Sequence, residues 1–301
     1  MINLFRHRVQ NEILVMSGAM GTMLHKSGSN LSGCLSKWII EHPEVYRNLV
    51  SEYFQVGCDI VAAATSTAHR LFLTKFGLQE KVNELNRGVI QIIKEIKPNY
   101  AFIAGNIGPS GKILKPLGDL SPSTLFEAYA EQCLALAESG AEIINILTMY
   151  DLEETLLALR AAQKYTSLPI IVSLAFNPAP QGFRTMMGVS PEIAAKRLAA
   201  EGADVIGANC GQVNLAQMTQ IIKLMKDSCE KPLIAKPNAG IPQLAAGEEK
   251  YAATPKHFAE HVAEWVLAGA RIVSACCGSG PPHIQKMVEK LKEQGLLKIK
   301  K

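Results

Sequence analysis

Eight apolar, strand-like runs, each followed by a segment of helical period, set the strongest limit on how this chain folds. The runs are Ile13–Met16, Gly57–Ala64, Ala101–Asn106, Glu142–Thr148, Leu168–Leu174, Asp204–Ala208, Pro232–Lys236 and Arg271–Ala275. Between them lie stretches such as Pro43–Val56, where Val45, Leu49, Tyr53 and Val56 recur on one side, and Ser123–Ser139, Leu152–Lys164 and Leu215–Met225. The runs are near-continuous in Val, Ile and Ala, so both of their faces are covered. A weak repeat, Gly57-Cys58-Asp59, Gly140-Ala141-Glu142, Gly202-Ala203-Asp204 and Gly269-Ala270-Arg271, marks the turn from a helix into a strand. Eight such units favour an α/β fold of one domain, a single (β/α)8 TIM barrel over residues 1–301, rather than an open doubly wound sheet.

The composition removes several function classes. With 48% hydrophobic and 19% charged residues, the chain buries a large core and has no disordered character. The net charge of +4 is mild and no basic stripe occurs, which argues against nucleic acid. Lys286, Lys290, Lys292, Lys298, Lys300 and Lys301 read as the solvated face of a last helix and its tail. There is no 18-residue apolar run and no signal-like start, so no membrane partner is expected. The seven cysteines are scattered and odd in number, which fits a cytoplasmic chain with reduced thiols better than a disulfide framework. A homo-oligomer is compatible with all of this.

In such a barrel the site lies at the C-terminal ends of the strands, and the unusual clusters fall there. Cys210 ends the sixth run, and Cys276-Cys277 ends the eighth, followed by the turn Gly278-Ser279-Gly280 and a helix opened by Pro281-Pro282. Three thiolates suit Zn²⁺ and leave a fourth position for a substrate, whereas the plainer reading is small cysteines packed at strand ends. A centre with net charge −1 is poor at activating water but can hold a substrate thiol as thiolate. Other candidates at the upper face are Asn209 and Asn238, Thr65 and Thr67, His25 and His69, and Arg70 and Arg184 as anion contacts. The polar segment Ser27–Lys37 reads as a long loop over the site. Lys236 ends the seventh run, where a Schiff-base lysine would also stand.

These pieces resemble the homocysteine S-methyltransferase family, zinc-dependent barrels that include betaine–homocysteine methyltransferases and the first module of cobalamin-dependent methionine synthase. The matching residues span nearly the whole chain: Gly18-Ala19-Met20-Gly21-Thr22, Thr65-Ser66-Thr67, Gly105-Asn106-Ile107-Gly108-Pro109, Asp151-Leu152-Glu153-Glu154, Gly207-Ala208-Asn209-Cys210, Pro237-Asn238-Ala239-Gly240-Ile241-Pro242 and Cys276-Cys277-Gly278. The resemblance implies zinc on Cys210, Cys276 and Cys277. It also implies a substrate pocket drawing on Ser17, Gly18, Ala19, Met20, Thr65, Thr67, Asn106, Leu147, Asn209 and Asn238. Two departures bear on the substrate. The family usually carries an aspartate at the position of Ser17 and a glutamate at that of Leu147, and it assigns both to the amino-acid end of homocysteine. Without them an ammonium taken from water lacks a partner.

The expected activity is therefore methyl transfer to or from a thiol, with an acceptor that need not be homocysteine. The donor stays open between a small sulfonium or ammonium compound and methylcobalamin on a separate corrinoid protein, since no Asp-x-His-x-x-Gly corrinoid piece is present. Homocysteine methyl transfer proper, a non-catalytic zinc-containing barrel and a lysine-dependent aldolase are the rival readings.

Overall fold

The computed structural model describes residues 2–30, 32–245 and 248–297. Lys298, Lys300 and Lys301 of the lysine-rich tail lie outside the described residues, as does Leu31 of the Ser27–Lys37 segment. Eight parallel strands form the barrel: β1 Leu14–Val15, β2 Ile60–Ala62, β3 Phe102–Ile107, β4 Ile143–Met149, β5 Ile170–Leu174, β6 Val205–Asn209, β7 Leu233–Lys236 and β8 Ala270–Val273. Each pairs with its neighbour in sequence. β8 returns to β1 through Leu14 opposite Ile272 and Val15 opposite Val273. The seam between β1 and β2 is closed by a bridge at Met16 and Ile60 and by Ser17 N–H donating to Ile60 C=O at 2.9 Å.

The glycine repeat has a physical reason. Gly57, Gly140, Gly202 and Gly269 have φ of 100°, 102°, 94° and 119°, left-handed values that end a helix at little cost only for glycine. In three of the repeats the acid two residues on accepts an N–H from the first two residues of the preceding strand. Asp59 takes Val15 at 3.0 Å, Glu142 takes Ile103 at 2.9 Å and Asp204 takes Ile170 at 2.8 Å. The repeat thus stops the helix and stitches the next strand to the last one.

The sequence reading leaves the first residues unassigned, but Ile2–Asn11 is a helix. Its Phe5 and Val9 join Leu14, Ile60, Phe102, Ile143, Ile171, Val205, Ile234 and Ile272 in one buried cluster inside the base of the barrel. Arg8 fixes the helix there through Asp59 at 2.7 Å, and Arg6 through Asp204 at 2.7 Å. Charges on Arg6, His7 and Arg8 hide the Phe5/Val9 spacing that seats it. Likewise, the expected loop Ser27–Lys37 is cut short by a helix, Leu35–Glu41, whose Ser36 and Ile39 are buried.

Side chains alternate along each strand, so the rows pointing inward can be followed upward. They run Phe102, Ala104, Asn106 on β3; Ile143, Asn145, Leu147 on β4; Ile171, Ser173 on β5; and Ile234, Lys236 on β7. The base is apolar, and the layer towards the C-terminal mouth is polar yet buried: Asn106, Asn145, Ser173, Asn209 and Lys236. That polar layer is the floor of the site.

Candidate metal centre

Cys210 follows directly on β6 and takes a left-handed φ of 55°, uncommon outside glycine. Its N–H donates to Lys236 C=O at 3.2 Å, which ties it to β7. On the other side of β7, Cys276 donates its N–H to Pro237 C=O at 2.7 Å, and Cys277 C=O accepts from Ala239 N–H at 2.9 Å. The chain then turns at Gly278 with φ of 79°, where a Cβ would lie 2.2 Å from the Tyr251 ring, so only glycine fits beneath that ring. Ser279 Oγ donates to Cys276 C=O at 2.6 Å and accepts Ala19 N–H at 3.1 Å, which clips the loop after β1 to the cysteine turn.

The result is a cluster of three sulfurs. Cys210 Sγ stands 2.9 Å from Cys276 Sγ and 3.7 Å from Cys277 Sγ, and all three lie within 4.8 Å of one another. Among the described residues it is the one group of three His, Cys, Asp or Glu side chains able to share an ion. Tetrahedral zinc with Zn–S near 2.3 Å separates its sulfurs by about 3.8 Å. One separation already matches, and the other opens by about 1 Å on metal binding. Hydrogen bonds from Cys210 and Cys277 hold the Cys276 thiol well below its ordinary pKa. The same contact with Cys276, with burial, pushes Cys210 well above it. Three soft sulfur donors in this arrangement fit Zn²⁺.

Asn209 braces this cluster. Its Oδ1 accepts from Thr148 N–H and Ser173 Oγ, both at 2.7 Å, while its Nδ2 donates to Thr148 Oγ1 at 2.7 Å and points at Cys276 Sγ at 3.8 Å. Thr148 is the other non-glycine residue with positive φ, 60°. The two strained positions, at the ends of β4 and β6, are therefore joined through one amide. Strain of this kind needs surrounding bonds to hold it and gathers at functional sites.

The remaining candidates divide. Leu147 faces the mouth, and Asn106 and Asn238 are buried beside it, Asn238 with an unpartnered Oδ1. Ser17 is buried, but its hydroxyl accepts Ala62 N–H at 3.0 Å and belongs to the β1–β2 seam. Thr65 Oγ1 both donates to and accepts from the Asn106 backbone at 2.9 Å, so it staples β3. Gly18, Ala19 and Met20 form the loop after β1, which Ala19 N–H ties to Ser279 in the cysteine turn, while Tyr53 OH donates to Ala19 C=O at 2.8 Å. Thr67 is half-buried in the turn after β2.

Arg70 is not free to meet an anion, because it grips Glu131 at 2.8 Å and Glu80 at 2.6 Å. Arg184 is half-buried on a hairpin after β5, donating to Phe183 C=O at 2.7 Å. His69 caps a short helix and is pushed down to about 4 by burial, hence neutral; His25 bonds Ser29 C=O at 2.7 Å.

Sequence reasoning passed over Asn145 and Ser173, whose signal was a polar residue at inward phase in an apolar run. It also missed Thr148, Ser279 and Tyr251, which no spacing reveals. Lys236 was noticed for its place alone. Its ammonium is buried and donates to Ser17 C=O at 3.1 Å and Ser274 Oγ at 3.0 Å. Burial lowers its pKa from the usual lysine value, and the thiols Cys276, Cys210, Cys277 and Cys58 act against that.

The motif Asp151-Leu152-Glu153-Glu154 turns out to be a brace. Asp151 caps the helix Leu152–Tyr165, and buried Glu154 accepts from Ser110 N–H and Tyr129 OH, both at 2.6 Å. Burial raises the Glu154 pKa against those bonds, so the native state binds its proton more readily than the unfolded chain. Stability then falls as pH rises from the ordinary carboxylate pKa through the raised one. Glu154→Gln keeps an acceptor for both donors. It is expected to raise the thermal midpoint at pH 8 by about 1–3 °C. The gain should fade below the ordinary carboxylate pKa, as followed by calorimetry across pH.

The model of the homocysteine S-methyltransferase family matches residues 14–291. The chain belongs to that family. Methionine synthase of Mycobacterium leprae is 27% identical over 295 residues, covering 91% of this chain and 24% of the relative. The family member described here therefore spans about a quarter of the length of the curated relatives it matches. Among solved structures, the metallated homocysteine methyltransferase MmuM from Escherichia coli superposes with a TM-score of 0.77 at 20% identity, over 93% of this chain and 97% of that one. A methyltransferase from Methanosarcina mazei gives 0.60 at 11% identity, over 98% and 97%. At these identities the superpositions bear on the fold alone. No described helix of this family member is long and apolar enough to cross a membrane.

Proposed function

We propose that the chain is a zinc-dependent methyltransferase that moves a methyl group onto or off a thiol, and that this thiol is not homocysteine. The observation that carries the reading is the convergence of Cys210, Cys276 and Cys277 at the mouth, a group that includes no carboxylate among the described residues. Bound at those sulfurs, zinc would supply the acidity that keeps a fourth, substrate sulfur as thiolate at neutral pH. The protein's own part is to fix the three sulfurs, through Asn209, Ser279 and the Gly278 turn, and to shut out other ligands. The methyl donor, small molecule or separate corrinoid protein, approaches from the open side of the barrel.

The case against homocysteine is local. Ser17 is spent on the seam, and Leu147 brings no charge. Three acids that could stand in for the family's pair, Glu142, Asp151 and Glu41, are placed elsewhere. Glu142 stitches the opposite end of the barrel, Asp151 caps a helix and Glu41 is exposed beside Lys37 at 3.6 Å. A buried ammonium left without its charged partner typically costs about 2–5 kcal/mol, roughly 30- to several thousand-fold in affinity. X-ray absorption at the zinc edge tests both halves. A fourth sulfur should appear with 3-mercaptopropionate or 2-mercaptoethanesulfonate at concentrations where homocysteine leaves the spectrum unchanged. A spectrum indifferent to every thiol would revive the structural-metal reading, and tight homocysteine binding would restore the family's usual acceptor.

A further inference from the structure

We infer that Lys236 sets the charge the acceptor must carry, by fixing a cation under the three thiols so that the favoured thiol bears an anionic second group. The inference rests on the zinc-thiol reading above and deepens it. β7 lies between the two cysteine-bearing strands, and Lys236 pairs in register with Asn209, the residue before Cys210. Lys236 follows Ile234 on the inward row, and Ile234 is part of the apolar barrel base, so the lysine rises from that base into the floor of the site. Its ammonium reaches across to Ser17 C=O and to Ser274 Oγ, two residues before Cys276. Two of its three N–H groups are then used, both on neutral oxygens, and the third has no acceptor among the described residues.

Among the described residues the rest of the floor offers no counter-charge. The residues around that layer are Ser17, Asn106, Asn145, Leu147, Ser173, Asn209 and Ser274, none of them acidic. A buried cation of this kind is costly unless it has an anionic partner. The sulfurs of Cys276, Cys210 and Cys277 are near enough to act on it, and ionised by a bound metal they would supply one. A centre of three thiolates and Zn²⁺ carries −1, and a fourth thiolate makes it −2, so a fixed positive charge beneath favours that step. The same charge repels a second ammonium and attracts a carboxylate or sulfonate on the incoming thiol. Three features of the chain thus agree: Ser17 and Leu147 remove negative charge from the floor, and Lys236 adds a positive one.

The test uses cobalt-substituted protein, whose visible bands report a fourth sulfur ligand, titrated with 3-mercaptopropionate, 1-propanethiol and 2-aminoethanethiol. The affinity ratio of 3-mercaptopropionate to 2-aminoethanethiol is expected to fall by about tenfold or more in Lys236→Met, with propanethiol changed by about twofold at most. Lys236→Arg should keep the wild-type preference for the anionic thiol. Lys236→Gln, which retains a donor for Ser17 and Ser274, serves if the methionine variant loses its fold. An unchanged ratio in the neutral variants overturns the inference while leaving thiol binding at the metal intact. Bands that no thiol alters overturn the thiol-at-metal reading, and this inference with it.

Discussion

Replacing Cys276 by alanine is expected to remove the metal and methyl transfer together while the barrel stays folded. Cys276 is the best placed of the three sulfurs. Hydrogen bonds from Cys210 and Cys277 hold its pKa down, it is 2.9 Å from Cys210 Sγ, and Asn209 Nδ2 faces it. Loss of an outer-shell partner alone costs about 10–100-fold in metal affinity or activity, and loss of a ligand should exceed that. Cys210→Ala and Cys277→Ala are expected to follow, whereas Cys229→Ala, a free thiol outside the cluster, should not. Metal content per chain and circular dichroism on the same samples check this. Full zinc in any one of the three variants would strike that residue from the site. The fold should survive because the barrel core of Leu14, Ile60, Phe102, Ile143, Val205 and Ile272 is complete without the metal.

Asn209→Ala is expected to cost about 2–5 kcal/mol of stability and to weaken metal binding as well. The cost comes from two donors, part-buried Thr148 N–H and buried Ser173 Oγ, that lose their shared acceptor. Thr148 then loses the bonds that hold it at φ 60°, and the Leu147 segment of the pocket loosens with it. Denaturant midpoints and a chelator competition on one preparation separate the two effects. A variant with unchanged stability would mean that the Thr148 turn is held by something else.

How much of this was legible depends on the level. The barrel was legible because eight apolar runs and the glycine repeat are local signals, each fixed by a physical need: burial on both faces, and a left-handed residue to end a helix. The cluster of three sulfurs was legible because Cys210, Cys276 and Cys277 are chemically unusual and fall at strand ends. The bracing was not. Which hydroxyl serves the backbone and which faces a ligand is decided by distances across the barrel, so Ser17 and Thr65 looked like pocket residues although their bonds go to Ala62 and Asn106. Arg70 looked available because Glu80 and Glu131 are 10 and 61 residues away in sequence. The amino-terminal helix was hidden by its own charges.

That helix has a consequence for traffic. Phe5 and Val9 cork the lower mouth, so the barrel is a blind well, not a conduit. On the proposed thiol-transfer reading, a thiol on the polar floor and its methyl partner would share the one upper mouth. The deeper reactant would then enter first and leave last, an order that product-inhibition kinetics checks.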